Sequence, residues 1–255
     1  MRELGYDFWE WGAGSAFDPS KDDAWWRKQK DEIAKRPLPL RSCNGFIPGK
    51  FRLTGPKANP APALDYAEKI LRRADEVGVQ TIVLGSGGAR NLPKDWVKAD
   101  PAAVEKGTRQ FTEFCAALAK RVADLKTVQV VIEPLRPKES NLVNFVWQGQ
   151  KIVEEVDSPR IRLLADSIGA VPGCDTNGPT ALLNSVLKAN QCLATSGNVL
   201  QMKFAKSQFN TEKGIEAFIS LAKTYFRMGG QTLQVNVLDA EELKAARLEP
   251  EKHRD

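Results

Sequence analysis

Short apolar stretches in the first two thirds of the chain repeatedly finish on a polar or acidic side chain: Glu10, Asn44, Ser86, Glu133 and Asp166. Carboxylates held at such positions can act as general acids or bases, or can offer hard oxygen donors to a cation. Amide and hydroxyl groups beside them suit the hydroxyls of a small polar substrate. Taken singly, each of these residues also reads as a solvated strand end or a helix cap. Gathered on one rim, they read as a site.

A rim needs elements that bring strand ends together. Strands are predicted at 6–11 ("YDFWEW"), 38–46, 80–88, 128–135 and 160–167, and helices at 22–36, 63–78, 101–124 and 141–156. Pro37 stops the first of these helices. Ala67, Ile70, Leu71 and Ala74 recur at helical spacing ahead of the terminating Gly78, and Phe111, Phe114, Cys115 and Leu118 share a face of the third. Strands and helices alternating in this way build parallel βα units, whose strand C-termini lie on one face where ligands bind. Further on, "NVLQMKF" (198–204) and "QTLQVNVLD" (231–239) read as two more strands, with helices over 212–228 and 240–248. Five strands and two make seven, one short of a closed eight-stranded barrel. The predicted fold is therefore α/β: an incomplete TIM-like (β/α) barrel followed by a βαβα tail that either docks onto it or stands apart. Open sheet edges predict self-association.

Composition narrows the function classes. The chain has 255 residues and a net charge of +5. Residues 166–255 balance ten basic against ten acidic side chains, so the excess lies in residues 1–165. No cluster of Lys and Arg with interleaved aromatics appears, which argues against a nucleic-acid partner. Cys43, Cys115, Cys174 and Cys192 show neither zinc-ligand spacing nor a compact disulfide framework. No apolar run approaches the ~18 residues of a membrane span, and a cytoplasmic protein with reduced thiols is expected. "GSGGARN" (85–91) has two readings, a cradle for a phosphate or hydroxyl and a tight βα turn; it lacks the Lys-Ser/Thr of a P-loop.

"GYDFWEWG", "CNGFIPG", "VLGSGGARNLP", "IEPLRPKESN" and "SPRIRLLADS" together resemble the xylose isomerase-like TIM barrels of the sugar phosphate isomerase/epimerase superfamily, over residues 1–167 and as far as that family's sixth strand. The resemblance implies a metal-dependent sugar or sugar phosphate isomerase or epimerase. Glu133, in "IEPL", takes the position of the first metal-binding and proton-shuttling glutamate, and Asp166, in "LLAD", that of the second ligand, for Mn²⁺ or Mg²⁺. Glu10, Asn44 and Ser86 become candidate contacts to substrate hydroxyls. The family commonly continues "D-x-x-H", whereas this chain reads Asp166-Ser167-Ile168-Gly169, and its single histidine, His253, matches no ligand position. The remaining ligands belong to strands that the resemblance does not reach, which implies a weak or absent metal site. Asp239, Glu241 and Glu242 are the acidic residues that could substitute.

Beyond residue 167 the resemblance changes. "VPGCDTNGPTALLNSVLK", "VLQMKF", "AFISLAKTYFRMGGQTLQVNVLDAEEL" and "EPEKHRD" are similar, in family order, to the C-terminal region of glycyl radical enzymes, the pyruvate formate-lyase class. There the segment after "PEKHRD" carries the radical glycine, so no radical glycine is expected in residues 168–255. Cys174 matches a loop position and not the relay cysteine. The expectation is a hybrid or truncated chain, catalytically incomplete, whose larger part derives from a metal-dependent sugar isomerase or epimerase. The alternative is a glycyl radical lyase fragment that takes its glycine loop from elsewhere.

Overall fold

The computed structural model describes residues 7–166, 199–204 and 232–237, together with helical positions 219, 222 and 223. Seven strands lie side by side in chain order: β1 (Trp9–Gly12), β2 (Leu40–Asn44), β3 (Thr81–Leu84), β4 (Gln129–Ile132), β5 (Ile161–Asp166), β6 (Val199–Phe204) and β7 (Thr232–Val237). Every pairing is parallel. The expected count and order of strands are thus observed. The tail is in the sheet: Leu164 pairs with Val199 and Asp166 with Gln201. Among the described residues, β1 and β7 each have one strand neighbour.

The helices follow the predicted periodicities. They are α2 (Asp23–Ala34), α3 (Ala61–Glu76), α6 (Ala103–Arg121) and α7 (Val146–Val156). The Asp22 carboxylate accepts the Trp25 amide at 2.8 Å and satisfies one of the open donors at the start of α2. After α3, Gly78 takes a φ of +74°, a conformation that glycine alone reaches without strain. The helix expected from residue 141 starts at Val146 instead. Residues 141–145 form a loop whose end is capped when the Gln148 Oε1 accepts the Asn144 and Phe145 amides, at 2.7 and 3.0 Å. Likewise the third strand ends at Leu84, and "GGAR" forms the short α4 (Gly87–Arg90). The helices α1 (Ala13–Ala16), α4 and α5 (Lys94–Ala99) were not predicted, because four to six residues are too few to show a 3.6-residue period.

Strand alternation divides the core. Ile82, Leu84, Val130, Ile132, Ile161 and Leu163 point toward the helices and join Leu71, Phe111, Phe114 and Cys115 in the main apolar cluster. Val83, Val131 and Leu164 form a small separate cluster on the other, concave face. Gly85 and Glu133 continue that concave row two residues further along. Cys43 packs with the main cluster, so Ser42 and Asn44 fall on the concave side of β2. No described helix is long and apolar enough to cross a membrane. The expected helices over 212–228 and 240–248 fall almost wholly outside the described residues, as do Cys174, Cys192, Asp239, Glu241, Glu242 and His253.

Candidate active site

Two polar groups stand on the concave face. On the first pair of strands, Glu10 lies in register with Ser42 and Gly12 with Asn44. Ser42 Oγ donates to Glu10 Oε2 at 2.8 Å, and Asn44 Nδ2 donates to Oε1 at 2.9 Å. Both carboxylate oxygens are braced, while Asn44 remains exposed and Glu10 partly so. Charge-assisted bonds of this kind fix a carboxylate's orientation. Ser42 is the member that no sequence motif marks. Its spacing of two from Asn44 was the available signal.

Glu133 forms the second group. It follows β4 directly, is 8% exposed, and donates its backbone amide to Leu84 O at 3.2 Å. Its carboxylate crosses the neighbouring chain where that chain has no side chain: a Cβ placed on Gly85 would lie 2.5 Å from Glu133 Oε2. The glycine that looked like part of a phosphate cradle leaves room for this carboxylate. Gly87 plays a similar part, since its Cβ would meet the Glu139 carbonyl oxygen at 2.5 Å. "GSGGAR" is therefore a turn against which other chain segments pack. Ser86 sits in the left-handed region, with φ 42°, and its Oγ accepts the Ile47 amide at 3.0 Å. That bond ties the loop after β2 to the turn after β3.

The loops after β2, β3 and β4 are joined to one another. Thr54 Oγ1 donates to Arg90 O at 2.7 Å, and the Leu53 amide to Ala89 O at 3.0 Å. The Asn141 side chain mimics a strand neighbour: its Oδ1 accepts the Leu92 amide and its Nδ2 donates to Leu92 O, both at 2.9 Å. Asn91 Oδ1 accepts the Asn141 amide in return, at 3.0 Å. The asparagine of "K-E-S-N" thus fastens the loop that follows Glu133. Beneath it Arg90 is fully buried, and burial lowers its pKa to about 10 despite the opposing pull of the Glu133 charge.

Asp166 occupies the end of β5, opposite Gln201, and its side chain lies outside the described structure. Glu133 and Asp166 therefore stand on neighbouring strands, β4 and β5. As oxygen donors both match the chemistry of a hard divalent cation. Among the described residues no group of three or more His, Cys, Asp or Glu side chains converges as a metal cage. The two buried cysteines have no part in such chemistry, because burial pushes the Cys43 and Cys115 thiols up to about 12.

The comparisons with known proteins divide at the end of β5. A family model described as xylose isomerase-like TIM barrel matches residues 1–171, and one described as glycine radical matches residues 164–255. Curated relatives match a little over a third of the chain. The trans-4-hydroxy-L-proline dehydratase of Clostridioides difficile is 37% identical over 102 residues, 38% of this chain and 13% of the relative. The indoleacetate decarboxylase of Tractidigestivibacter scatoligenes is 39% identical over 93 residues, 36% of this chain and 10% of the relative. The chain thus spans only about a tenth of the length of these proteins. Among solved structures, the apo 3-keto-D-glucoside 4-epimerase of E. coli superposes with a TM-score of 0.67 at 17% identity, covering 96% of this chain and 89% of its own. A D-psicose 3-epimerase with D-tagatose from Clostridium cellulolyticum H10 gives 0.67 at 14% identity, covering 96% and 81%. At such identities the likeness is one of fold.

Proposed function

Since this chain belongs, over residues 1–171, to the xylose isomerase-like TIM barrel family, we propose that its concave face binds a sugar or sugar phosphate, with Glu133 as the proton-transferring carboxylate of an isomerase or epimerase. The observation that carries the reading is the buried Glu133 carboxylate, set over the bare backbone of Gly85 at the C-terminal rim of a parallel sheet. Glu133 would take the proton from the carbon next to a carbonyl and return it to the neighbouring carbon on the same face, whereas inversion would need a second acid on the opposite face. Glu10, aligned by Ser42 and Asn44, would accept a hydrogen bond from a substrate hydroxyl, and Asn44 would donate one. Ser86 is a further candidate contact at the same rim.

Glu133 and Asp166 would be this chain's contribution to a divalent cation site, weak because two carboxylates supply few donors. A bound Mn²⁺ or Mg²⁺ would polarise the substrate carbonyl and so acidify the neighbouring C–H. A cytoplasmic location accords with the buried free thiols of Cys43 and Cys115. Pairing between copies through the outer edges of β1 and β7 would be the route to self-association.

Incubating the protein with Mn²⁺ and a panel of ketohexoses in D₂O, read by NMR, tests the proposal. Solvent deuterium should enter the sugar at a carbon adjacent to the carbonyl, and Glu133→Gln should reduce that exchange by about 100-fold or more. Exchange that is absent in the parent protein, or equal in the variant, refutes the assignment.

A second reading rests on the match of residues 164–255 to the glycine radical model and on a curated relative 39% identical over 36% of the chain. Under it, the tail is part of a glycyl radical lyase whose radical glycine lies outside residues 164–255. Anaerobic activation together with a segment that carries such a glycine, followed by EPR, should then give a glycyl doublet that depends on the presence of this protein.

A further inference from the structure

Arg90 is among the largest fully buried side chains described. A guanidinium cannot shed its charge near neutral pH, so placing it in a core is costly unless its N–H groups find acceptors. Here the acceptors are three backbone carbonyls from three different segments. Nη2 donates to Glu133 O at 2.8 Å and to Val143 O at 3.3 Å, and Nη1 donates to Leu84 O at 3.3 Å. Nε reaches Ser140 Oγ at 3.5 Å, and the ring of Phe111 lies 5.5 Å below the guanidinium carbon. Leu84 immediately precedes Gly85, whose missing side chain leaves room for the Glu133 carboxylate. Val143 and Ser140 lie in the loop beyond Glu133. Each of these hydrogen bonds lands on the end of β3, on Glu133 itself or on the loop that follows it.

We infer that Arg90 is a positioning residue for Glu133: its buried fork clamps the end of β3, the residue after β4 and the following loop, and so sets where the Glu133 carboxylate stands over Gly85. The inference rests on the reading of Glu133 as the reacting group, but its geometry stands apart from any sugar or cation. A core-filling role would be served by any side chain of similar volume. A clamp needs the planar fork, because a lysine carries its three donors on one nitrogen at the end of a flexible stem and cannot bridge three spaced carbonyls in fixed directions.

Carboxyl labelling of the native, full-length protein with carbodiimide and glycine ethyl ester, read by mass spectrometry, separates these roles. In Arg90→Lys and Arg90→Gln, labelling of Glu133 should rise by about fivefold or more as the rim opens locally, while Glu154 on α7 labels as before. Unchanged Glu133 labelling in a folded variant overturns the inference. Should both variants fail to fold, two further measurements decide. Gly85→Ala keeps Arg90 but fills the carboxylate's place, and should raise Glu133 labelling in the same way. In the parent protein, the Arg90 Nη–H protons should give separate, exchange-protected NMR signals coupled through the hydrogen bond to the Glu133 carbonyl carbon. Failure of either overturns the clamp. Neither needs substrate or metal, so a protein that passes both and shows no deuterium exchange loses the proposed reaction and keeps the clamp.

Discussion

Asn141 illustrates how much of the rim depends on single side chains. Its amide group supplies both an acceptor and a donor to Leu92, and its own backbone amide is taken by Asn91. Removing the side chain leaves the Leu92 N–H and C=O without those partners, and an unsatisfied backbone group in a partly buried place costs more than a bond is worth on average. Asn141→Ala should therefore destabilise the protein by about 1–3 kcal/mol in urea unfolding. Asn141→Asp keeps the acceptor but loses the donor, and should fall between that variant and the parent. Equal stability of all three would mean that water replaces the asparagine without loss.

At the scale of elements, Asp75 near the end of α3 governs how the chain enters β4. Its carboxylate accepts the amides of Lys126, Thr127 and Val128 and the Thr127 hydroxyl, at 3.1, 2.7, 3.0 and 2.8 Å. Burial opposes its charge, but those four donors outweigh burial and hold its pKa at about 2. The folded value lies below that of an unfolded aspartate, near ~3.9, so protons favour the unfolded chain. The stabilisation is complete above about pH 4 and is lost as the pH falls through 2. Part of it is screened by solvent at this half-buried position. Asp75→Ala should cost about 1–2 kcal/mol at pH 6, with the gap between variant and parent closing as the pH approaches 2. A gap independent of pH would show that packing, not the carboxylate's charge, is what Asp75 contributes.

For the whole molecule, the point at which the two family models meet is not a break in the sheet. The models overlap at residues 164–171, and β5, which ends inside that overlap, pairs in parallel with β6. The tail strand therefore covers an edge that the first five strands would otherwise expose. An uncovered β5 edge, with Leu164 close to it, is a template for pairing with other copies. A chain ended at Asp166 should associate into larger species in sedimentation velocity, and should melt at a lower temperature than the full chain. A monomer that melts with the parent would show that the tail strands add nothing to the sheet.

The parallel βα order, the seven strands and the apolar faces of the long helices were readable from the residues alone, because those depend on local periods of two and 3.6 residues. Residues such as Ile70, Leu71, Phe111 and Leu118 were legible as core for that reason. The strand ends carrying Glu10, Asn44 and Glu133 were legible too. Their partners were not. Ser42, Gly85 and Arg90 lie 32, 48 and 43 residues from the carboxylates they serve, and no local pattern records a contact at that distance. Arg90 shows the limit most plainly. A charged residue in a glycine-rich loop reads as exposed, and only the folded chain, by bringing Leu84, Glu133 and Val143 around it, supplies the carbonyls that let it be buried.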